Sequence, residues 1–309
     1  VSIMVWSSVV GVILATCALI ATLAVRSGFR AEFVDTILGS NAHVTVYQQT
    51  PIEGTTQTIR TISDYDALSE ALGKVEGVTR AAPLVRGQVM ANSQNRNAGI
   101  EVYGITLDNL MTIPRIARPD DSAGSINNFY NGIAIGSGVA RELGVAVGDK
   151  IKVISPNGVR TAMGTSPRVN AYEVVYIFTA GRYDIDKTRV YMPLAEAQSF
   201  FNREGLVDEI EVMVADPDAV DSVTPELLSI AGQYSYIWTW RDSAGSFLRA
   251  LTVEDNVMFV ILSILVLIAS MNIISGLIML VKNKGRDIGI LRTMGLTEGS
   301  ILRIFFICG

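Results

Sequence analysis

The sequence predicts a membrane protein with α-helical spans and a mixed α/β domain outside the bilayer, truncated at both ends. Three observations point there. Residues 1–25 and 256–281 carry no charged side chain. As helices they would extend roughly 37–39 Å, enough to cross a hydrocarbon core of about 30 Å with some tilt. The residues between them mix the period-2 alternation of strands with helical spacing. The whole chain is 49% hydrophobic and only 18% charged, with a mean hydropathy of +0.36, and the apolar excess is concentrated in those two runs.

The first run is too long for the apolar core of a signal peptide, and it lacks both a basic leader and a small-residue cleavage site. It therefore reads as a first span. The chain opens on Val1 in mid-helix rather than on Met, so the expectation is that its native beginning is missing. In the exterior region, alternation marks strands at HVTVY (43–47), GIEVYGI (99–105), DKIKVIS (149–155), YEVVYIF (172–178) and EIEVMV (209–214). Helical spacing marks SDYDALSEALGKV (63–75), with Ser63 as the expected cap and Leu68 and Leu72 on one face. It recurs at 137–143, 194–202 and 225–232. Gly144 suits the left-handed position that ends a helix, and Gly148-Asp149 suits a turn into the next strand. The Pro-, Asp-, Gly- and Asn-rich stretch 113–132 reads as a loop crossing between two subdomains, with a mobile tip. Ala244, Phe247, Leu248 and Leu251 share a helical face, and no proline precedes Asn256. One helix is therefore expected to run unbroken into the second span.

Charge orients the chain. Residues 282–309 hold Lys282, Lys284, Arg286, Arg292 and Arg303 against Asp287 and Glu298, a net of +3. Since the chain as a whole carries −5 and both runs are neutral, residues 26–255 hold −8. Within fifteen residues of the second run, four basic side chains follow it and two precede it. The positive-inside rule then puts the tail in the cytoplasm and the large domain outside. An acidic exterior domain argues against nucleic acid as a partner.

The chemistry of enzymes is missing from the pattern. Cys17 and Cys308 both lie in apolar segments, and His43 is the single histidine. Disulfides in the exterior domain, a zinc site and a histidine-based triad are thereby disfavoured. There is no phosphate-binding loop and no nucleophile elbow. Asp120-Asp121 and Glu254-Asp255 read as solvated surface, so neither catalytic residues nor a cofactor bound by this chain is expected. Two classes fit a chain that crosses, builds an exterior domain and recrosses: a transmembrane sensor, or a permease driven by a cytoplasmic motor. A sensor would continue in long heptads. Here glycines at 285, 289, 295 and 299 stop any helix within a few turns, and residues 300–309 begin a third apolar segment. A short amphipathic helix between spans, with Ile288 and Leu291 on one face and Arg286 and Arg292 flanking it, reads as a docking element.

The stretch MNIISGLIMLVKNKGRDIGILRTMGLTEGSI (271–301), and above all DIGILRTMG (287–295), resembles permeases of the lipoprotein-releasing ABC transporters, the LolC/LolE family, which group with MacB-like exporters and FtsX-like permeases. RSGFRAEF (26–33), ILGSNAHVTV (37–46), ARELGVAVGDKIKV (140–153) and residues 240–262 resemble the same family in order and spacing. The resemblance implies a first transmembrane helix at 1–25, a periplasmic domain at 26–255 and a second transmembrane helix at 256–281. A cytoplasmic loop with a coupling helix would occupy 282–299, and a third helix would begin at 300–309. Within the domain it implies a porter-like part (26–103 and 208–255) and an inserted lobe (104–207).

It further implies an inner-membrane complex with two copies of an ATPase subunit that holds the ATP and Mg, and with a second permease, either a LolE-type subunit or a second copy of a hybrid. Such a complex takes a triacylated lipoprotein from the outer leaflet and passes it to the periplasmic carrier LolA. The ATPase-coupling residues would be Arg286, Asp287, Ile288, Leu291, Arg292 and Met294. TAMGTSPRVNAYEV (161–174) resembles the LolA-binding hook of LolC-type subunits. It reads as a presented loop rather than a tight hairpin, with Arg160, Met163, Gly164, Pro167 and Arg168 as contacts. The lipoprotein path would run past Val25, Phe29, Val257, Met258 and Ile261. A MacB-like exporter or an FtsX-like regulator is the alternative.

Overall fold

The computed structural model describes residues 2–38, 41–51, 58–119, 121–161 and 164–308. The chain begins with α1 (Ser2–Leu38), followed by β1 (Val44–Gln48), the two-residue strands β2 (Thr50–Pro51) and β3 (Thr58–Ile59), α2 (Tyr65–Gly73), β4 (Val78–Ser93) and β5 (Arg96–Ile105). Next come α3 (Leu107–Leu110), α4 (Pro114–Ala117), β6 (Asp121–Gly124), β7 (Ile133–Gly136), α5 (Ser137–Leu143), β8 (Lys150–Thr161) and β9 (Gly164–Thr179). Then follow α6 (Tyr183–Thr188), β10 (Arg189–Pro193), α7 (Leu194–Phe200), β11 (Glu209–Val214), α8 (Val220–Ala231), β12 (Ser235–Thr239) and α9 (Trp240–Ser243). The chain closes with α10 (Gly245–Asn283), α11 (Gly285–Thr293) and α12 (Glu298–Cys308). Two compact units result: Glu32–Gly245, and Val1–Ala31 together with Ser246–Gly309.

The first unit is built on a ten-stranded mixed sheet. Its long strand β4 belongs to two neighbourhoods. Residues 78–84 pair with β11, which continues through β1 to β12, all antiparallel. Residues 85–93 pair with β5, and residues 90–92 pair on the other edge with β8. From β5 the pairing runs to β10, β7, β9 and β8 and so back to β4, a closed circuit of six strands. Closure gives each of these six strands a partner on both sides, while β6 lies outside the circuit, paired with β9 alone among the described residues. Two of its contacts, β5 with β10 and β7 with β9, are parallel, and parallel neighbours need crossover connections. Against the antiparallel part lie α2 and α8. Their Leu72 and Leu227 are buried, as are Val44, Val46, Ile210 and Val212 of the strands beneath.

Local expectations hold where the pattern is strong. The five strands read by alternation are present, Gly144 ends α5 with φ 67°, and Gly148 also has positive φ. Others need correction. The residue before α2 is Asp64 rather than Ser63, and no side-chain cap bond forms there. Residues 113–132 are not a crossing between subdomains. Pro114 starts α4, β6 pairs with β9, and a 3₁₀ turn spans Ile126–Asn131. Ile113, Ile116 and Phe129 sit in one apolar cluster with Tyr103, Phe178 and Tyr191. Those apolar residues, spaced among turn formers, pull the segment onto the sheet, and Tyr176 fastens it by donating to the Ile116 carbonyl at 3.1 Å. Asp120, at the expected tip, lies outside the described residues.

The expected rod is a single helix from Gly245 to Asn283, but it does not include Ala244. Thr239 and Asp242 form a capping box that starts α9, a separate turn ending at Ser243. The side chains of Phe247, Leu248 and Leu251 lie outside the described residues. In the second unit, α1 is one 37-residue helix that runs past residue 25. Among the described residues, one helical stretch is long and apolar enough to cross a membrane, Val253–Asn283, and a shorter apolar stretch covers Thr16–Gly28.

Where the two parts of the sheet share β4, one face carries charge instead of hydrocarbon. Cross-strand register puts Glu211 opposite Ala82, Glu209 opposite Leu84, Arg86 opposite Tyr103, and Arg189 opposite Glu101. Arg80 pairs with Glu211 at 2.8 Å and donates to the Asn109 carbonyl at 2.9 Å. Arg86 pairs with Glu101 at 2.6 Å and stands 3.9 Å from Glu209. Arg189 is buried, lies over the Tyr103 ring at 4.5 Å, and donates to Asn41 Oδ1 at 3.0 Å. Burial, with the neighbouring charge of Glu211, pushes the Glu209 carboxyl up to about 7.

That raised value makes Glu209 a source of acid-side stability. The unfolded chain releases this proton near the ordinary carboxylate range while the folded chain keeps it. Stability contributed by the neutral acid is therefore complete below the unfolded value and is lost as pH rises through about 7. Unfolding of residues 32–245 in urea, followed from pH 4.5 to 8, is expected to show a decline of roughly 3 kcal/mol. Glu209→Gln should flatten it, and an unchanged slope in that variant would refute the assignment.

Candidate functional site

Three groups of residues were nominated from sequence, and each sits on a definable element. The hook residues lie on the β8–β9 hairpin. Its ladder continues from Lys150 opposite Glu173 to Thr161 opposite Gly164. Residues 164–174 thus belong to a strand rather than to a presented fourteen-residue loop, and residues 162–163 lie outside the described residues. Asn157-Gly158, the dipeptide that usually makes such a turn, sits instead inside β8. The register slips there, between Ser155 and Val159. A Cβ on Gly158 would stand 2.1 Å from the Ser166 carbonyl oxygen, so the close approach of the two strands requires glycine.

Pro167 is exposed on β9. Arg168 is not free in the same way. Its guanidinium donates to the Ser199 carbonyl, at the end of α7, and to Asn202 Oδ1 at 2.8 Å. Asn202 in turn donates to the Gly158 carbonyl at 3.3 Å. This chain of contacts fastens the hairpin's base to α7, so the head group nominated as a partner contact is engaged inside the domain. Met163 and the side chain of Arg160 lie outside the described residues, and Gly164 pairs with Thr161.

The coupling residues occupy α11 and its C-terminal end. Lys284 pairs with Asp287 at 3.1 Å, and Arg292 pairs with Glu298 across the break into α12. The backbone turns sharply after Met294, with the Leu296 N–H donating to the Leu291 carbonyl at 3.2 Å. Ile288 and Leu291, the apolar pair chosen from sequence, are half-buried in the chain itself, and α11 packs against α12, where Ile301 is buried. The apolar side chains left facing outward are Ile290 and Met294, 54% and 72% exposed and one turn apart. Arg286 and Asp287 are exposed beside them.

The third group lies on α1 and α10. Val25, Val257 and Ile261 are exposed and Met258 is half-buried, while the side chain of Phe29 lies outside the described residues. What joins the two helices here is an ion pair that was not nominated, Arg26 with Asp255. The signal was available in the sequence, because these are the first charges flanking the two charge-free runs. What sequence lacked was any indication that two residues 229 positions apart meet.

A family model described as the MacB-like periplasmic core domain matches residues 6–230. The lipoprotein-releasing system transmembrane protein LolC of Neisseria meningitidis serogroup B is 29% identical over 307 residues, covering 98% of this chain and 71% of the relative. The corresponding LolE of Haemophilus influenzae is 26% identical over 312 residues, covering 96% of this chain and 71% of the relative. Among solved structures, the periplasmic region of MacB from Actinobacillus actinomycetemcomitans is similar at a TM-score of 0.42 and 12% identity, covering 69% of this chain and 97% of that one. Because the family model spans well over half of the chain, the protein belongs to the family of MacB-like periplasmic core domains.

Proposed function

We infer that this chain is a permease subunit of an ABC transporter that releases lipoproteins from a membrane. The observation that carries the reading is the collinear similarity to LolC and LolE, named transmembrane proteins of a lipoprotein-releasing system, over nearly the whole chain. The arrangement of a helix, an α/β domain, a long apolar helix and a short helix before a further apolar one supports it. In this reading the complex lies in the inner membrane with the α/β domain in the periplasm. A separate ATPase subunit binds and hydrolyses ATP with Mg, and the chain itself is not catalytic. A second permease, LolE-type or another copy, completes the complex. The cargo is a triacylated lipoprotein, received by the carrier LolA.

The geometry suggests how motion would pass. As one helix of 39 residues, α10 is roughly 58 Å long, without proline or an internal break. An ATPase that grips α11 would displace the end of a stiff element rather than a flexible loop. The outward pair Ile290 and Met294 is the apolar surface available for such a grip, with Arg286 and Asp287 at its rim, while Ile288 and Leu291 are half-buried. Few side chains dominate interfaces of this kind.

Two outcomes follow. Met294→Asp would bury a carboxylate without a partner and should cost docking several kcal/mol, read as loss of the ATPase subunit on co-purification of the full-length complex. Leu291→Asp should also lose the ATPase, but with lower thermal stability of the permease, because Leu291 packs within the chain. Wild-type recovery of the ATPase with Met294→Asp would remove this face from the interface.

The hairpin separates a carrier-binding subunit from a hookless one. Residues 32–245 should bind purified LolA, and deletion of 161–167, which spares Arg168 and the base, should abolish binding while leaving the unfolding midpoint near that of the parent. Arg168→Ala should instead loosen the hairpin, lowering affinity through a faster off-rate as a preorganised surface is lost. No binding by the intact domain would leave the permease reading in place and exclude the hook.

A further inference from the structure

Arg26 and Asp255 meet at an informative level of the second unit. Arg26 is the first charge after the apolar run of α1, and Asp255 is the last charge before the apolar run of α10. The two helices run with opposite ends to the pair, so both leave their charge-free segments at the same height. Each side chain is about one-third exposed, 32% for Arg26 and 37% for Asp255, so the pair lies in the seam rather than in bulk solvent. Exposed Val25 and Val257 flank it, one on each helix. On the membrane reading, this is the level of lipid head groups, and the seam is a surface that lipid touches.

A guanidinium at head-group level is a strong ligand for phosphate, which it binds with two parallel hydrogen bonds. Here that guanidinium already faces a carboxylate, and Glu254 stands exposed beside it. The local balance of Arg26 against Glu254 and Asp255 is one negative charge. A phospholipid approaching the seam meets an occupied cation and an unfavourable field. The lipid anchor of a lipoprotein is different. A diacylglyceryl thioether with an amide-linked third chain carries no phosphate and no charge at its head.

We propose that Asp255 is a specificity-determining residue. By holding the Arg26 guanidinium it keeps phosphate-bearing lipids out of the α1–α10 seam and leaves the seam to lipids with uncharged heads. The choice of cargo rests on the lipoprotein reading above. The exclusion of phosphate does not, and it is tested without cargo.

The measurement is native mass spectrometry of the full-length permease with its ATPase, purified from bilayers of phosphatidylglycerol and phosphatidylethanolamine, counting retained phospholipid. Asp255→Asn frees the guanidinium and should retain several-fold more phosphatidylglycerol than the wild type. Asp255→Glu should behave like the wild type, and adding Arg26→Gln to Asp255→Asn should erase the gain. Equal phospholipid in Asp255→Asn and wild type overturns the proposal, as does a gain that survives Arg26→Gln. Because the single variant removes a helix–helix contact, a second measurement uses the unaltered protein. A photoreactive diacylglycerol should label α1 and α10 around residues 26 and 255 more strongly than a photoreactive phosphatidylglycerol of the same chain length, and equal labelling also overturns it. Failure of the lipoprotein reading would show separately, as wild-type complex that selects lipids in this way yet releases no lipoprotein from vesicles.

Discussion

Where β4 passes from one part of the sheet to the other, Arg80, Arg86 and Arg189 meet Glu101, Glu209 and Glu211 on a single face, with Tyr103 between them. The strands brought together there are the β4–β5 hairpin and, from far along the chain, β10 and β11, so the contact helps decide which segments are neighbours. Burying these charges is expensive, and mutual pairing recovers the cost only when each head group finds its partners. A slip of one residue in β5, β10 or β11 would turn its charged side chains to the opposite face and leave the others without partners. The arrangement therefore penalises every register but one. It also explains why Glu209 holds its proton to about 7: it is the most enclosed of the three carboxylates and has Glu211 as a like-charged neighbour, which Arg86 at 3.9 Å offsets only in part.

The segment from α3 to α7 lies in the chain between β5 and β11, and it returns one strand, β10, with Arg189, to this cluster. The closed circuit of strands then gives the β8–β9 hairpin a rigid root. Arg168 and Asn202 extend that rigidity outward, tying the hairpin's flank to the end of α7. A projecting element is useful for recognition only if its ordering has been met within the free protein. Here the Arg168 guanidinium is engaged at the root of the hairpin, while Pro167 stays exposed.

The short helix α11 follows the same logic in the other unit. Its two apolar pairs divide the work. Ile288 and Leu291 are half-buried in a unit where α11 packs on α12, and Ile290 with Met294 remains available. Sequence periodicity alone identifies two stripes on such a helix and gives no means of choosing between them, because both satisfy the same spacing.

Much of the architecture was legible without coordinates. Alternation marked β1, β5, β8, β9 and β11, the composition of 1–25 and 256–281 marked long apolar helices, and Gly144 marked the end of α5. These features depend on side chains within a few residues of one another, which is the range over which periodicity and backbone preference act. Strands β7 and β10 were not legible, because IAIG and RVYMP are too short to distinguish from other buried apolar runs. Nor was β4, where Pro83 sits within the strand and argues against it. Residues 113–132 read as a loop by composition, although Ile113, Ile116 and Phe129 bury themselves in the core. Asn157-Gly158 has the composition of a turn, yet it sits at an irregularity inside a strand. The partners of Arg26, Arg168 and Arg189 were decided only by the fold. The choice of a charge's partner is a long-range matter, set by which strands and helices the whole chain brings within a few ångströms, and no local pattern of residues carries that information.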